Sequence, residues 1–333
     1  MGMLINGVWH TDIDRTQDDG AFRREPSALP ALPAARLAKR FSEKPTPLLV
    51  ASLSCPWSHR ATLTRAVKDL RSIPLTVAGG PRVEGYAVTG ANPPNVGVAP
   101  VRHVHQLYRA TDARYTGRAT VPLLWDADAQ VILSNDSATI ARALDMLGPD
   151  WRLAPDEQAS EIDALNARNY DGLANAVYRA GFSTSQEAYR AAVADVYATL
   201  DRLEDVLTHQ RCLFGAQVTE ADLFLFATLV RFDAVYVPLF RCTRRRLVDY
   251  PALWAYARDV YTWPGVARTV NFRANLQGYF LNDTDNNPHG IVPEVPETDW
   301  STPHGREAFG PLTVWQNGLQ EPFDAIARLA HAG

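Results

Sequence analysis

TPLLVASLSCPWSHRATLTRAVKDL, residues 46–70, decides the fold. Its first part, 46–54, is short, apolar and bounded by Pro45 and Pro56, the pattern of a buried strand. From Cys55 onward, Ala61, Leu63, Ala66 and Leu70 fall at helical spacing. Pro56 stands in the first helical turn, where a missing N–H is harmless. A strand that runs into a helix with almost no loop opens an α/β unit. Cys55 therefore sits at a helix N-terminus. Free N–H groups and the helix dipole favour an anion there, and the thiolate is the reactive form of cysteine. Ser58 stands where a dithiol oxidoreductase carries its second cysteine, and no C-x-x-C occurs in the chain. A thiol from solution or from a partner must then resolve any disulfide formed at Cys55. Cys212 and Cys242 lack such a setting and read as structural.

Downstream, residues 79–100 are rich in Gly, Pro and Asn and read as a long loop. RHVHQLYRATD (102–112) reads as a short helix, and ATVPLLWDADAQVIL (119–133) as two strands around a turn at Asp126–Asp128. SNDSATIARALDML (134–147) is then a helix, with Asn135 or Ser134 as the expected N-cap. This order of elements is that of a thioredoxin-like domain, placed at 46–148. In such a domain the Val121–Pro122 bond is expected to be cis and to face Cys55, leaving the Val121 backbone to pair with a peptide-like thiol. Asn135-Asp136-Ser137, at a helix start, offers N–H groups and a hydroxyl to a carboxylate.

Residues 1–45, polar and marked by Pro26, Pro30 and Pro33, read as an extended arm that wraps the body. After Gly148 the pattern turns helical, and 149–275 reads as an all-helical domain. Its helices are expected at 157–182, 187–210, 219–232 and 251–266. The third opens on Thr219 and Asp222, a capping-box signature, and is apolar nearly all round, so it should be central. Residues 276–333 read as an ordered extension, with PFDAIARLAHA (322–332) a short amphipathic helix.

The composition sets the outer limits. With 333 residues, 46% hydrophobic and 21% charged, the chain is an ordinary globular protein of about two domains. A net charge of −4 gives no reason to expect nucleic acid or an anionic membrane as partner. Three cysteines argue against a disulfide framework and for a reducing compartment, so a cytoplasmic location is expected. The most apolar window, 221–240, contains Asp222, Arg231 and Asp233, and reads as a buried helix rather than a membrane span. Only Lys39, Lys44 and Lys68 are lysines among the 33 basic residues, which reads as a GC-rich genomic bias. The basic run RCTRRRL (241–247) reads as a solvated loop or helix end. His103 and His105, with no third ligand evident nearby, give no metal site, and none is expected. Gly79-Gly80 lacks the rest of a phosphate-binding fingerprint.

Together SLSCPWSHRA (52–61), YTGRATVPLLWD (115–126), ILSNDSATI (132–140), ANAVYRAGFSTSQEAY (174–189), LFGAQVTEADLFLFATLVRFDAVYVPLF (213–240), DYPALWAYARDVY (249–261), VARTVNF (266–272) and NNPHGIVP (286–293) resemble the glutathionyl-hydroquinone reductases, the Xi class of glutathione transferases. The match runs from GVWH (7–10) to about Arg306, and the tail from about residue 311 has no counterpart. The resemblance implies a homodimer that uses glutathione as co-substrate and acts on quinone or hydroquinone conjugates. It implies that Cys55 attacks the thioether sulfur of a glutathionyl-hydroquinone, and that a second glutathione resolves the mixed disulfide. It implies that Tyr178, Tyr236 and Tyr279 act near the ring, and that Arg118, Val121, Pro122, Asp136 and Ser137 hold the thiol. The family's Gly-Trp is here Gly85-Tyr86, its Asn-Glu-Ser is Asn135-Asp136-Ser137, and its asparagine-rich stretch carries Ala174 and Ala176. These departures fall at the ligand site. They leave open another low-molecular-weight thiol, such as the mycothiol of many actinobacteria, or a protein that binds aromatic ligands without turnover.

Overall fold

The computed structural model describes residues 2–11, 18–30, 32–43, 46–91 and 93–323. The chain begins with strands β1 (Met3–Ile5) and β2 (Val8–His10), followed by helix α1 (Ala34–Phe41). The first half continues with β3 (Leu48–Ala51), α2 (Pro56–Val67), β4 (Leu75–Gly79), β5 (Ala87–Val88), β6 (Asn95–Val96), β7 (Ala99–Pro100), α3 (His105–Thr111), β8 (Leu123–Asp126), β9 (Val131–Ser134) and α4 (Ser137–Asp145). Five strands form one mixed sheet in the order β5-β4-β3-β8-β9, with β3 and β4 parallel and the other neighbours antiparallel.

Strand periodicity sorts this sheet's side chains onto two faces. Leu49 and Leu124 pack with Ala61, Ile140 and Leu144 on the face covered by α2 and α4. Val50, Leu123 and Trp125 point the other way, toward Leu107 and Tyr108 of α3. This is the thioredoxin-like architecture expected from the sequence.

Helices dominate the rest: α5 (Ala159–Asn169), α6 (Ala176–Gly181), α7 (Gln186–His209), α8 (Glu220–Arg231), α9 (Pro251–Thr262) and α10 (Phe272–Phe280), after the short strand β10 (Trp151–Arg152). All of α8 is buried, and its first turn is closed by the Thr219–Asp222 capping box. The two halves form an α/β domain followed by an all-helical one.

Several local expectations change. The arm is not simply extended: β1 and β2 form a hairpin tied to the body at Gly117, and α1 buries Leu37 and Phe41 against the sheet. Those two anchors, one helical turn apart, are too few to show as periodicity. The Gly/Pro-rich loop contains β5, which extends the sheet, and the small β6–β7 pair. The N-cap of α4 is Asp136, not Asn135 or Ser134; its carboxylate accepts the Thr139 N–H at 2.7 Å.

Beyond residue 311, β11 (Thr313–Gln316) and β12 (Leu319–Pro322) form a second hairpin that pairs with β10. Both hairpins turn on Asn-Gly with positive φ at each residue: Asn6 and Gly7 (48° and 76°), and Asn317 and Gly318 (52° and 83°). That is the tight turn whose twist matches paired strands. The amphipathic helix expected at 322–332 falls, from residue 324 on, outside the described residues.

Lys68 joins α2 to this region. Its buried ammonium donates to the carbonyls of Asp145 (2.8 Å), Trp151 (2.6 Å) and Pro149 (3.1 Å). Three donors on a compact charge suit three converging carbonyls, a geometry a flat guanidinium fork does not match.

Candidate active site

Cys55 is the N-cap of α2 and only 7% exposed. The short turn before it is fixed by hydrogen bonds: Cys55 N–H donates to the Ser52 carbonyl (3.2 Å), and Ser52 N–H to the Ser58 hydroxyl (3.1 Å). Ser58 thus braces the loop from the position where a second cysteine would stand. The Val121–Pro122 bond is cis, and the Cys55 thiol donates to the Val121 carbonyl at 3.5 Å. The cis-proline loop is held in turn by Tyr108, whose hydroxyl donates to the Thr120 carbonyl (2.9 Å) and accepts from Asn135 (3.0 Å). Asn135, expected as a cap, serves here instead. The other two cysteines contrast sharply. Cys212 and Cys242 are fully sealed, and burial pushes the Cys242 thiol up to about 12 and that of Cys212 well above its usual range.

The helical half holds the cysteine loop through Arg231. From the last turn of α8, its buried guanidinium donates to the carbonyls of Ser54 (2.9 Å), Leu53 (3.0 Å) and Ala227 (2.6 Å). It also lies 3.0 Å from His59 Nδ1. A guanidinium can only donate, so His59 Nδ1 accepts and Nε2 carries the proton, donating to Thr269 at 2.7 Å. Burial first, and Arg231 second, hold His59 well below the usual imidazole range, consistent with that neutral tautomer. The available signal for Arg231 in the sequence is a single cation at the end of the long apolar run that follows Asp222.

Tyr178, Tyr236 and Tyr279 come together. The Tyr279 hydroxyl lies 2.5 Å from that of Tyr178 and 3.1 Å from that of Tyr236. Burial first, and mutual repulsion second, push all three phenols well above their usual range, so they stay protonated at neutral pH. Two π-helical segments accompany them: Tyr170–Ala174 precedes Tyr178, and Phe232–Tyr236 ends on Tyr236. Such segments are rare and re-aim the side chains that follow. Tyr178 and Tyr279 line the same cleft as Cys55, while Tyr236 stands behind Tyr279, fully buried.

The cleft encloses about 890 Å³, its open mouth included, which is within the size of small-molecule sites. Its thiol side carries Arg82, Tyr86 and Arg118. The Arg82 guanidinium lies 4.2 Å over the Tyr86 ring, and its Nε is buried without a hydrogen-bond partner. Burial is the main cause that pushes Tyr86 up to about 12. Arg24, from the N-terminal arm, covers the rings of Trp57 (5.3 Å) and Tyr178 (5.2 Å) and donates to Asn175. Neither Arg24 nor Arg82 was singled out from the sequence, because nothing local marks them. Asp136, Ser137 and Pro122 stand outside the cleft lining; the Asp136 carboxylate is occupied in capping α4.

Two discounted signals fare differently in space. RCTRRRL is the solvated loop expected, and its arginines have partners: Arg241 bonds Asn286 and the carbonyls of Ala180 and Gly181, Arg245 stacks on Tyr250, and Arg246 pairs with Asp249. His103 and His105 do have a third acid-base neighbour, Glu84, whose carboxylate lies 3.5 Å from His103 Nδ1. It approaches through the fold of the 79–100 loop, which spacing along the chain does not reveal.

Residues 54–147 match the family described as glutathione S-transferase, N-terminal domain, and residues 186–259 match glutathione S-transferase, C-terminal domain. The chain is 42% identical over 328 residues to the glutathionyl-hydroquinone reductase YqjG of Escherichia coli, covering 93% of this chain and all of that one. It is 39% identical to the glutathionyl-hydroquinone reductase PcpF of Sphingobium chlorophenolicum, over 89% of this chain and 96% of that one. Among solved structures, the glutathione-bound YqjG superposes with a TM-score of 0.77 at 38% identity, over 91% of this chain and 99% of that one. The Xi-class transferase of Phanerochaete chrysosporium gives 0.78 at 35% identity, over 86% and 96%.

Proposed function

The chain belongs to the glutathionyl-hydroquinone reductases, the Xi class of glutathione transferases, and from this premise we propose how its own residues carry the reaction. The protein is an enzyme that reductively removes glutathione from glutathionyl-hydroquinones, with glutathione as co-substrate. Cys55 is the nucleophile. As the thiolate it attacks the thioether sulfur; the S–S bond to glutathione forms, the aryl C–S bond breaks, and the ring carbon takes a proton. Two electrons reduce the carbon centre, and the two sulfurs are oxidised to the Cys55–glutathione disulfide. A second glutathione thiolate attacks its sulfur partner in that disulfide, releasing oxidised glutathione and the Cys55 thiolate. With Ser58 in place of a second cysteine, the chain has no internal resolving thiol near Cys55.

An aryl carbon is a poor leaving group, so protons must be supplied as the bond breaks. The Tyr178 and Tyr279 hydroxyls stand on the ring side and relay a proton from solvent to the ring carbon as the C–S bond breaks, and Tyr236 orients Tyr279 from behind. Their raised phenol range keeps them as donors at neutral pH. On the thiol side the Val121 backbone pairs with the glutathione peptide and Arg118 and Arg82 face its carboxylates, with Asp136 and Ser137 set back from the lining at the start of α4. Tyr86 packs on it where the family has tryptophan. We take the enzyme to be a cytoplasmic homodimer, with an arm at 1–45, domains at 46–148 and 149–275, and an extension at 276–333. Among the described residues no helix is long and apolar enough to cross a membrane.

The observation that carries this reading is the shared cleft: a helix-capping cysteine against a cis Val-Pro on one side, hydrogen-bonded phenols on the other. The test follows free hydroquinone from glutathionyl-menadiol plus glutathione, in the native enzyme and in Cys55→Ser. The native enzyme should turn over and carry a glutathione adduct on Cys55 by mass spectrometry. Turnover that survives in Cys55→Ser sinks the proposed nucleophile. An adduct formed with another cellular thiol in preference to glutathione reassigns the co-substrate.

A further inference from the structure

Behind the thiol side of the cleft lies a cluster that the reaction does not use. Glu84, His103 and His105 each bring a ligand atom to within 4.8 Å of the others. They come from three places: Glu84 from the loop that carries Arg82 and Tyr86, His103 from its bridge to Ala87, and His105 from the first residue of α3. Glu84 Oε2 lies 3.5 Å from His103 Nδ1. Two ligands on one tetrahedral ion with bonds of about 2.1 Å stand about 3.4 Å apart, so this edge already has the required spacing.

The two imidazoles are nearly parallel, 8° apart, with centroids at 5.7 Å, and Trp9 stacks on His105 at 4.9 Å. Stacking holds the His105 ring without using its nitrogens. Independently, His105 Nε2 is buried and has no hydrogen-bond partner, an orphan that folded chains ordinarily satisfy with protein, water or an ion.

We propose that Glu84, His103 and His105 form a binding site for a borderline divalent metal ion of the Zn²⁺ type, with a remaining position open to water. Two imidazoles and one carboxylate are a donor set such ions favour. The site abuts the cleft: Gly85 and Tyr86 adjoin Glu84, Trp9 packs on His105, and all three line the cleft. A bound ion ties the loop bearing Tyr86 to α3.

The test uses the full chain carrying Cys55→Ser, which removes the accessible thiol as a competing ligand and separates the result from the catalytic reading. Calorimetric titration with Zn²⁺ should show one saturable ion per chain. His103→Ala and Glu84→Gln should each weaken it at least about tenfold. Co²⁺ should give the visible bands of a four- or five-coordinate site with nitrogen and oxygen ligands, without a thiolate charge-transfer band. Circular dichroism and the metal-free melting temperature confirm that each variant folds; Glu84 is exposed, so Glu84→Gln keeps the test open if His103→Ala does not fold. No saturable Zn²⁺ binding, or affinity unchanged in the folded variants, overturns the proposal.

Discussion

The two sides of the cleft rest on different physics. The thiol side is built on backbone, the end of β3, the first turn of α2 and the cis Val121–Pro122 loop, with the side chains of Arg82, Tyr86 and Arg118 set around it. The ring side is made of side chains, three phenols, two buried and Tyr279 partly so, collected from α6, a π-helical turn after α8, and α10. Each backbone piece is written within a few consecutive residues. A side-chain site depends on how distant helices pack. Arg231 connects the two, since it leaves the helical half to hold the carbonyls of Leu53 and Ser54.

Breaking the thiol side at its centre should have the largest effect. Cys55→Ser should lower turnover on the order of 10³-fold or more, with the fold intact and no glutathione adduct by mass spectrometry. Cutting the connection comes next. Arg231→Met leaves buried carbonyls without donors and should cost about 3 kcal/mol in denaturant unfolding, with turnover falling as the cysteine loop loosens.

On the ring side, Tyr279→Phe removes the hydroxyl that both neighbours contact, and should reduce kcat by about 100-fold with little change in KM. Tyr236→Phe, behind the cleft wall, should cost clearly less; an equal or larger loss would show that the sealed hydroxyl, rather than the two lining the cleft, drives the proton supply.

Alkali tests the thiol side again. The folded-state values of Tyr86 and Tyr108, pushed to about 12, lie above the unfolded value near 10. Their contribution is therefore complete below pH 10 and is lost as pH rises toward 12. Tyr86→Phe should flatten the fall of stability over that window by up to about 1.4 kcal/mol per pH unit. The smallest effect is expected at Arg82. Arg82→Met should raise the KM for glutathione about tenfold or less at nearly constant kcat, because its guanidinium is one of the cations lining the thiol side of the cleft.

The two hairpins are legible in local sequence. Ile5-Asn6-Gly7-Val8 and Gln316-Asn317-Gly318-Leu319 both carry the strongest local hairpin signal, within segments whose composition otherwise reads as an arm and a tail. Helix α1 is different, because Leu37 and Phe41 become meaningful only once the sheet they cover exists. The three lysines were read as a matter of genome composition. One of them, Lys68, is the buried three-donor ammonium between α2 and β10, a role that its neighbours in sequence do not hint at.

From sequence alone came the strand–helix junction at 46–70, the placement of Cys55 at a helix start, the capping box at Thr219–Asp222 and the buried character of α8. All are local: they depend on spacing, propensity and caps within one or two turns of chain. Tertiary structure alone decided that Tyr178, Tyr236 and Tyr279 share hydrogen bonds, that Arg231 reaches the cysteine loop, that Arg24 and Arg82 enter the cleft, and that Glu84 meets His103. These contacts, several of them spanning from tens to nearly two hundred residues of chain, form because burying apolar faces brings the helices and the sheet together. The polar groups carried along must then find partners in the interior or face the cleft.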